Sequence, residues 1–383
     1  MTRSFLDYRI PVYEEVDRLC GNQLTVIFYA DIVPERCHVK LQKILCDRAV
    51  GLTGEIRFSG EKIQAAASAE KNKTRIPLQP GLIKIIKKSK PDVILCDGFF
   101  QWSYAALILR LLKGIPIVMC YEGTLHTERN SGKLRTLYRK AASKLINRIV
   151  CNGSLSAEYV ESLGYPRSRI RRGNMAADTI ALHDQAEKFP VNERNKLKDN
   201  LGLNHHVFLF IGRLVQLKGV DKLIKAWALG LGYNQDTSLL IVGNGPEMGS
   251  LKAQSRRENS TNVCFAGAID YDIIYKYLSV ADVFIMPTLQ DNWSLVVPEA
   301  MSVGLPIICS QYNGCWPELV KPENGWVFDP LNEDNFIGVL KAAWDNRNAW
   351  NQMGLESLRI VQDYTPEKVA GNIYNACLSV LAK

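Results

Sequence analysis

The chain reads as an α/β protein built from two doubly wound parallel sheets, and three observations carry that expectation. Strand-length apolar runs alternate with helical patterns along its whole length, the arrangement that covers parallel sheets with helices. At 383 residues and 43.0 kDa it is long enough for two separate cores. A polar stretch from Ala176 to Asn204, containing Pro190 and little apolar periodicity, divides the pattern in two. The expected division is a first domain over 1–180, a linker over 181–204, a second domain over 205–364 and a last helix over 365–383. In the first domain strands are predicted near Leu24–Tyr29, Val93–Cys96, Ile117–Cys120 and Arg148–Cys151. In the second they are predicted near Val207–Ile211, Leu239–Val242, Val263–Phe265, Val283–Met286 and Ile307–Cys309. The apolar spacing from Thr365 to Leu381 is that of a helix.

The segment Asp282–Gly304, DVFIMPTLQDNWSLVVPEAMSVG, carries the most chemistry. An apolar strand runs into a polar loop and then into a helix, with Asn292 or Ser294 as the expected N-cap. A helix opening at the carboxyl end of a strand presents unpaired N–H groups that favour anions. Asp291 stands before the first turn and Glu299 about a turn and a half inside. Two acids so close are poor phosphate ligands but good acceptors for hydroxyls that flank a held phosphate. Ribose on one side and a hexose on the other fit that description, which points to a sugar nucleotide. An ordinary amphipathic helix with a solvated Glu fits the segment equally well when it is taken alone.

The context decides between them. The spacing from Asp291 to Glu299, with Ala300-Met301 and Gly304-Leu305-Pro306 behind it, resembles the acidic signature of the retaining family 4 glycosyltransferases. Ile211-Gly212-Arg213-Leu214 and Lys218 to Ile224 resemble that family's donor-phosphate segment. Gly243-Asn244-Gly245-Pro246-Glu247, Phe265-Ala266-Gly267 and Asn324-Gly325-Trp326 follow in the family's order. The likeness is close over roughly residues 206 to 380 and loose before that. It implies the GT-B fold, two Rossmann-like domains facing a cleft, with the last helix crossing back to the first domain. It also implies that Arg213 and Lys218 neutralise a departing diphosphate and that Glu299 holds a ribose. Amides around Asn292, Trp293, Ser294 and Leu295 would hold phosphate, and Asp291 would touch the transferred sugar. Gly212, Gly243, Gly245 and Gly267 fall in the donor-binding segments, and Gly212 would allow close backbone approach to a diphosphate. Arg213 and Lys218 are complementary cations, a planar fork and a point charge. The family usually has Glu where this chain has Asp291, one methylene shorter. Proteins of this kind also open with an apolar strand, whereas only Thr2 to Phe5 precede the loop Leu6–Pro11, so the first strand is expected to be short or missing.

In the first domain the run Cys120–Arg129 follows a predicted strand and so lies at a carboxyl edge. Glu122 takes the place of a His that many family members carry there, and His126 lies one turn later. Either is a candidate to orient the acceptor hydroxyl or the donor sugar. Asp97 and Trp102 end another strand and, with Tyr8 and Arg9, are candidate acceptor contacts, although aromatics in such runs are as often core. Asp270-Tyr271-Asp272 matches a DxD metal motif of a different glycosyltransferase fold. It precedes a helical run, so Asp270 is expected to be an N-cap; no metal and no cofactor beyond the nucleotide sugar are expected.

Composition narrows the partners. Residues 1–180 hold 29 Lys/Arg against 17 Asp/Glu, and the remainder 18 against 22. The basic half suggests an anionic surface or acceptor. Gly132–Arg148, GKLRTLYRKAASKLINR, reads as a basic amphipathic helix, suited either to an anionic membrane or to a core with a solvated face. Lys84–Lys90 is a second basic cluster. Ten cysteines show no metal spacing and several sit in apolar runs, which suits reduced thiols in a cytosol. The N-terminus has no signal-peptide core, and the apolar run Tyr104–Cys120 is broken by Arg110, Lys113 and Pro116. The expected activity is transfer of a hexose-type residue from a nucleoside diphosphate sugar, with retention, to a saccharide or polyprenyl-linked acceptor of surface polysaccharide assembly. The expected location is cytoplasmic, peripheral on the inner face of the cell membrane. A GT-B sugar-nucleotide epimerase and a phosphorylase are the enzymatic alternatives. A nucleic-acid-binding protein rests on charge alone, with no accompanying signature.

Overall fold

The computed structural model describes residues 1–56, 77–258, 260 and 262–381, which form two compact units. The first comprises Met1–Ala176 and Pro366–Lys383, the second Ala177–Thr365. In the first unit the strands are β1 (Val26–Tyr29), β2 (Ala49–Leu52), β3 (Ile94–Asp97), β4 (Ile117–Tyr121), β5 (Arg148–Cys151) and β6 (Ile170–Arg172). All pairings are parallel, in a two-stranded sheet β1-β2 and a four-stranded sheet β3-β4-β5-β6. Ile117, Val118 and Met119 of β4 are fully buried, as expected of a parallel strand covered on both faces.

Among the described residues no strand is formed before β1. The first residues nonetheless behave as a strand stub: the Thr2 amide donates to the Ile27 carbonyl at 3.0 Å, and Tyr29 N–H to Arg3 O at 3.4 Å. On the other side the Met1 amino group donates to Leu95 O at 2.6 Å. The C-terminal helix Pro366–Leu381 packs on the helix Ile10–Leu19 and on β5, with Val369, Ala370, Ile373 and Ala376 buried.

The second unit has β7 (His206–Ile211), β8 (Thr237–Val242), β9 (Val263–Gly267), β10 (Val283–Met286), β11 (Ile307–Ser310) and β12 (Gly325–Phe328). They form one parallel sheet in the order β12-β11-β10-β7-β8-β9. Strand order therefore reverses between β7 and β10, and ligands of such sheets bind outside the carboxyl ends of the strands at that switch point. The stretch expected as a linker, 181–204, is instead mostly helical, in Thr179–Glu187 and Val191–Asn200. Asp178 caps the former through the Ala181 amide, and Pro190 sits at the N-cap of the latter, a local signal that overrides weak apolar periodicity. Three edge strands, β2, β6 and β12, were not expected; AVGL, IRR and GWVF are short and carry Gly or charge, so their pairing is set by tertiary context.

Asp17, only 4 % exposed, ties the end of the helix Ile10–Leu19 to the start of β1. It accepts from the Leu24 amide at 2.9 Å and from both terminal nitrogens of Arg48, Nη2 at 3.0 Å. Asp17→Ala removes a buried acceptor of charged and backbone donors. Unfolding in urea should show a loss of about 2 kcal/mol.

Candidate donor site at the switch point of the second sheet

The site is assembled by two loops at the carboxyl ends of β7 and β10. The first runs from Gly212 to Gly219. Gly219 has φ +66°, and a Cβ there would lie 2.2 Å from Pro287 O, so only glycine lets this loop approach the end of β10. Leu217 O then accepts from the Leu289 amide at 2.8 Å and from Thr288 Oγ1 at 2.9 Å. That docking places the Lys218 ammonium 2.5 Å from Asp291 Oδ2. Asp291 is further fixed by Ser294 Oγ, which donates to Oδ2 at 2.6 Å, and by the Trp293 amide, which donates to Oδ1 at 3.1 Å. Its backbone pairs with the loop after β11, through Tyr312 O and the Gly314 amide. Arg213 is exposed at the mouth of the same loop and makes no side-chain hydrogen bond or ion pair among the described residues.

The helix after this loop is Val296–Ser302, starting one residue later than a Ser294 cap and three later than an Asn292 cap would place it. Its N-cap position is Leu295, so neither Asn292 nor Ser294 caps it. Glu299 consequently lies in its first turn. The Ser294 amide is also not open to a phosphate: it donates to Asn313 Oδ1 at 3.3 Å, an acceptor shared with the Cys315 amide. The Leu295 and Val296 amides, by contrast, have no hydrogen bond among the described residues. Trp293 is buried against Tyr364, with ring centroids 6.0 Å apart, and Asn292 is half-buried. The Asn313 Nδ2, Trp293 Nε1 and Asn292 Oδ1 atoms are buried without partners. Asn313, which sequence reasoning missed, thus orients the loop and leaves a donor over; its only signal was its place after β11.

Glu299 is 5 % exposed and accepts from Tyr271 Oη at 3.1 Å. Burial pushes its carboxyl up to about 7, against the opposing pull of the Tyr271 hydrogen bond, and Asp178 adds to the rise. Tyr271 belongs to the Asp270-Tyr271-Asp272 run. Asp270 does sit at the N-cap position of the turn Tyr271–Ile273, yet its side chain makes no capping bond, so the residue that matters there is the tyrosine. Among the described residues no three His, Cys, Asp or Glu side chains gather as a metal-ligand set.

The glycines expected to lie in donor-binding segments also serve the packing of the loops. A Cβ on Gly243 (φ +137°) would lie 1.9 Å from Gly212 O, and one on Gly245 2.1 Å from Leu214 O. Gly212 itself faces the Phe210 ring at 3.0 Å. Close packing of the loops after β7 and β8 therefore explains these three. Gly267 ends β9 with φ +79° and open space around its missing Cβ.

In the first unit, Tyr8, Asp97 and Glu122 come together at the strand ends. Burial raises the Tyr8 phenol to about 12, with Glu122 and then Asp97 acting in the same direction after it. Glu122 is exposed and His126 half-buried. Arg9 and Trp102 are corrections. Arg9 is 6 % exposed and turns inward, donating through Nη1 to Asn174 O at 2.5 Å and through Nη2 to Asn174 Oδ1 at 3.1 Å. Trp102 is 1 % exposed, its Nε1 donating to Glu55 Oε2 at 2.9 Å. Both anchor the core and neither can meet an acceptor. The loop 122–131 is held from beneath by Arg139, expected on a solvated face but in fact buried. Its Nη2 lies 2.7 Å from Glu128 Oε1, and Ser131 Oγ donates to Glu128 Oε2 at 2.6 Å.

Two family models match the chain: Glycosyl transferases group 1 over residues 191–357 and Glycosyltransferase Family 4 over 46–173. Among curated proteins it is similar to the sulfoquinovosyl transferase SQD2 of Arabidopsis thaliana, 21% identical over 79% of this chain and 60% of that one. An uncharacterized glycosyltransferase of Haemophilus influenzae is 31% identical over 46% of this chain and 49% of its own. The UDP-Gal:alpha-D-GlcNAc-diphosphoundecaprenol alpha-1,3-galactosyltransferase of Escherichia coli is 28% identical over 70% of each chain. The chain thus spans about half to three-fifths of the first two of these relatives. Among solved structures, Anabaena HepE in complex with UDP-glucose matches with a TM-score of 0.72, at 17% identity over 99% of this chain and 100% of that one.

The raised carboxyl of Glu299 has a pH signature. Its folded value, about 7, lies above its ordinary value of 4.5, so the folded state binds the extra proton. Relative to Glu299→Gln, the wild type should lose stability as pH rises from about 4.5 to 7 and change little outside that window. Denaturant titrations of both proteins from pH 4 to 8 measure this.

Proposed function

Because the chain belongs to the family 4 glycosyltransferases and has their GT-B fold, we propose that it transfers a hexose-type sugar, with retention, from a nucleoside diphosphate sugar to an acceptor hydroxyl. The observation that carries this reading is the juxtaposition of Lys218 and Asp291 at the switch point, with Arg213 exposed in the same loop as Lys218. An ammonium has three donors, so Lys218 can keep Asp291 in place and still reach a phosphate oxygen. Arg213 adds a fork suited to a diphosphate. As the glycosidic bond to the diphosphate breaks, negative charge grows on the leaving oxygen, and these cations with the Leu295 and Val296 amides stabilise it. On the same face the leaving phosphate takes the acceptor's proton. Asp291 accepts from a hydroxyl of the transferred sugar, its short side chain already aimed by Ser294 and the Trp293 amide. Glu299, oriented by Tyr271, accepts from the ribose hydroxyls. No cofactor is invoked, since Arg213 and Lys218 supply the positive charge the leaving group needs.

The acceptor in this reading is lipid-linked. The name of the Escherichia coli relative, with its diphosphoundecaprenol acceptor, supports it, and so does the helix Lys133–Ser143. Leu134 and Leu137 on that helix are 83 % and 64 % exposed, so they are not core residues. They share an outer face with Ala141, Lys133, Lys140 and Lys144, all exposed. Leucines ringed by lysines suit the headgroup boundary of an anionic bilayer on the cytoplasmic side. No helix among the described residues is long and apolar enough to cross a membrane.

A panel of UDP-, GDP- and dTDP-sugars, read by thermal shift and by product analysis with a polyprenyl-diphosphate saccharide, tests the reading. Release of an epimer from the donor alone would overturn it in favour of an epimerase. Arg213→Ala should lower kcat by about a hundredfold, the size of one lost electrostatic donor, while leaving the melting temperature unchanged. The double change Leu134→Ser, Leu137→Ser should abolish salt-sensitive sedimentation with phosphatidylglycerol vesicles and leave thermal stability as it was.

A further inference from the structure

The second unit holds a cavity of about 330 Å³ at the amino ends of its strands, the end of the sheet away from Lys218 and Asp291. His206 opens β7, Asp282 stands before β10 and Pro306 before β11, and all three line it. The helices Thr179–Glu187, Val191–Asn200 and Trp350–Val361 contribute His183, Arg194 and Trp350 to its walls. None of the donor-site residues lines it. An unfilled packing defect is apolar, whereas this cavity is walled by charged and aromatic side chains.

Its polar groups are fixed in place, and each keeps capacity to spare. Arg194 donates through Nη2 to Ala186 O at 2.6 Å, in the last turn of Thr179–Glu187, and through Nε to Phe189 O at 3.0 Å just beyond it. Its Nη1 amino group has no partner among the described residues. Arg347 lies 4.6 Å from the centroid of the Trp344 ring and spends one donor on Trp344 O. Neither guanidinium pairs with an acid among the described residues. Ser302 O can only accept, so His183 Nδ1, 2.9 Å from it, carries a proton and Nε2 is left over. Asp282 Oδ2 accepts from the Val207 amide at 2.7 Å and has Lys198 Nζ 3.9 Å away, while Oδ1 accepts nothing among the described residues. Burial holds the His206 imidazole below its ordinary value, against the pull of Asp282. His206 therefore acts as an aromatic wall beside Trp350, with ring centroids 5.5 Å apart, and not as a cation.

These groups sort by charge. Lys198 answers Asp282, which leaves the two guanidinium groups against Glu187, exposed at the rim. A guanidinium already held by backbone carbonyls loses little freedom on taking an anion, and its planar fork matches phosphate oxygens. Three terminal oxygens let one phosphate meet both forks, which the two oxygens of a carboxylate do less well. Asp282 Oδ1 and His183 Nε2 call instead for hydroxyl donors. We propose that the cavity is a binding site for a small phosphorylated polyol of the sugar-phosphate class. Its phosphate lies on Arg194 and Arg347, and its hydroxyls on Asp282 and His183. A volume of about 330 Å³, at the lower end of ligand pockets, suits a molecule of monosaccharide size.

Calorimetric titration of the full chain with glucose 6-phosphate, ribose 5-phosphate, glycerol 3-phosphate, inorganic phosphate and glucose tests the site. At least one of the three phosphorylated polyols should bind more tightly than inorganic phosphate or glucose. Arg347→Ala, at an exposed position, should keep the melting temperature and weaken that binding about tenfold or more, the size of a lost charge-assisted hydrogen bond. Arg213→Ala and saturating UDP, both directed at the donor site, should leave it unchanged. Failure of all three phosphorylated polyols to bind would overturn the proposal. So would binding that UDP displaces, or that Arg347→Ala leaves at full strength. Inorganic phosphate binding as tightly as all three would overturn the hydroxyl contacts and leave a plain anion site.

Discussion

An ammonium held against a carboxylate at the switch point of the second sheet is the contact around which the candidate donor site is organised. Lys218 and Asp291 come from loops separated by 73 residues in sequence, and their 2.5 Å approach requires both loops to be fixed. Gly219 allows the first loop to touch the backbone of Pro287, and Thr288 and Leu289 bond it there. Asn313 and Ser294 fix the second. The pair remains partly open to water, at 23 % and 17 % side-chain exposure, so its net contribution to stability is small. Its value is positional: two opposite charges hold each other in place, as the proposed sharing with a phosphate and a sugar hydroxyl requires.

Glu299 illustrates the opposite arrangement. It is buried, carries one hydrogen bond from Tyr271 and makes no ion pair among the described residues, so burial raises its pKa into the neutral range. A carboxyl of that kind is costly to ionise. Hydroxyl donors from a ribose would lower that cost, which makes ligand binding and ionisation favour each other.

The parts legible in the sequence were those set by local pattern or by charge spacing. Strands such as β4, β7 and β10 are continuous apolar runs, and their burial on both faces follows directly from that. Asp291, Lys218 and Glu299 could be grouped because their motifs recur in order, and the structure brings the first two into contact. The failures at Arg9, Trp102 and Arg139 share one cause, the direction of a side chain. Arg9, Trp102 and Arg139 stand in runs that read as solvent-facing or ligand-facing, yet each finds a buried polar partner: Asn174, Glu55 and Glu128. Those partners lie up to 165 residues away, so no periodicity could reveal them. The glycines of the β7 and β8 loops stood out in the sequence, and a Cβ on Gly243 or Gly245 would strike the backbone of the neighbouring loop. What they approach is another loop, which spacing cannot distinguish from a ligand.

The two units pin a loop at a strand end by the same device and to different effect. In the first, Arg139 lies under the loop 122–131 at 1 % side-chain exposure, its charge consumed by Glu128 and by the Tyr159 hydroxyl. A guanidinium so enclosed orders the loop but turns no donor to solvent, its Nε being buried without a partner, and removing Glu128 would strand a buried charge. In the second, Lys218 orders its loop and keeps donors free, with Arg213 exposed in the same loop. Burial depth alone therefore decides which ion pair is framework and which can bind. Of the two ion pairs, the one left with donors to offer stands in the less basic half of the sequence.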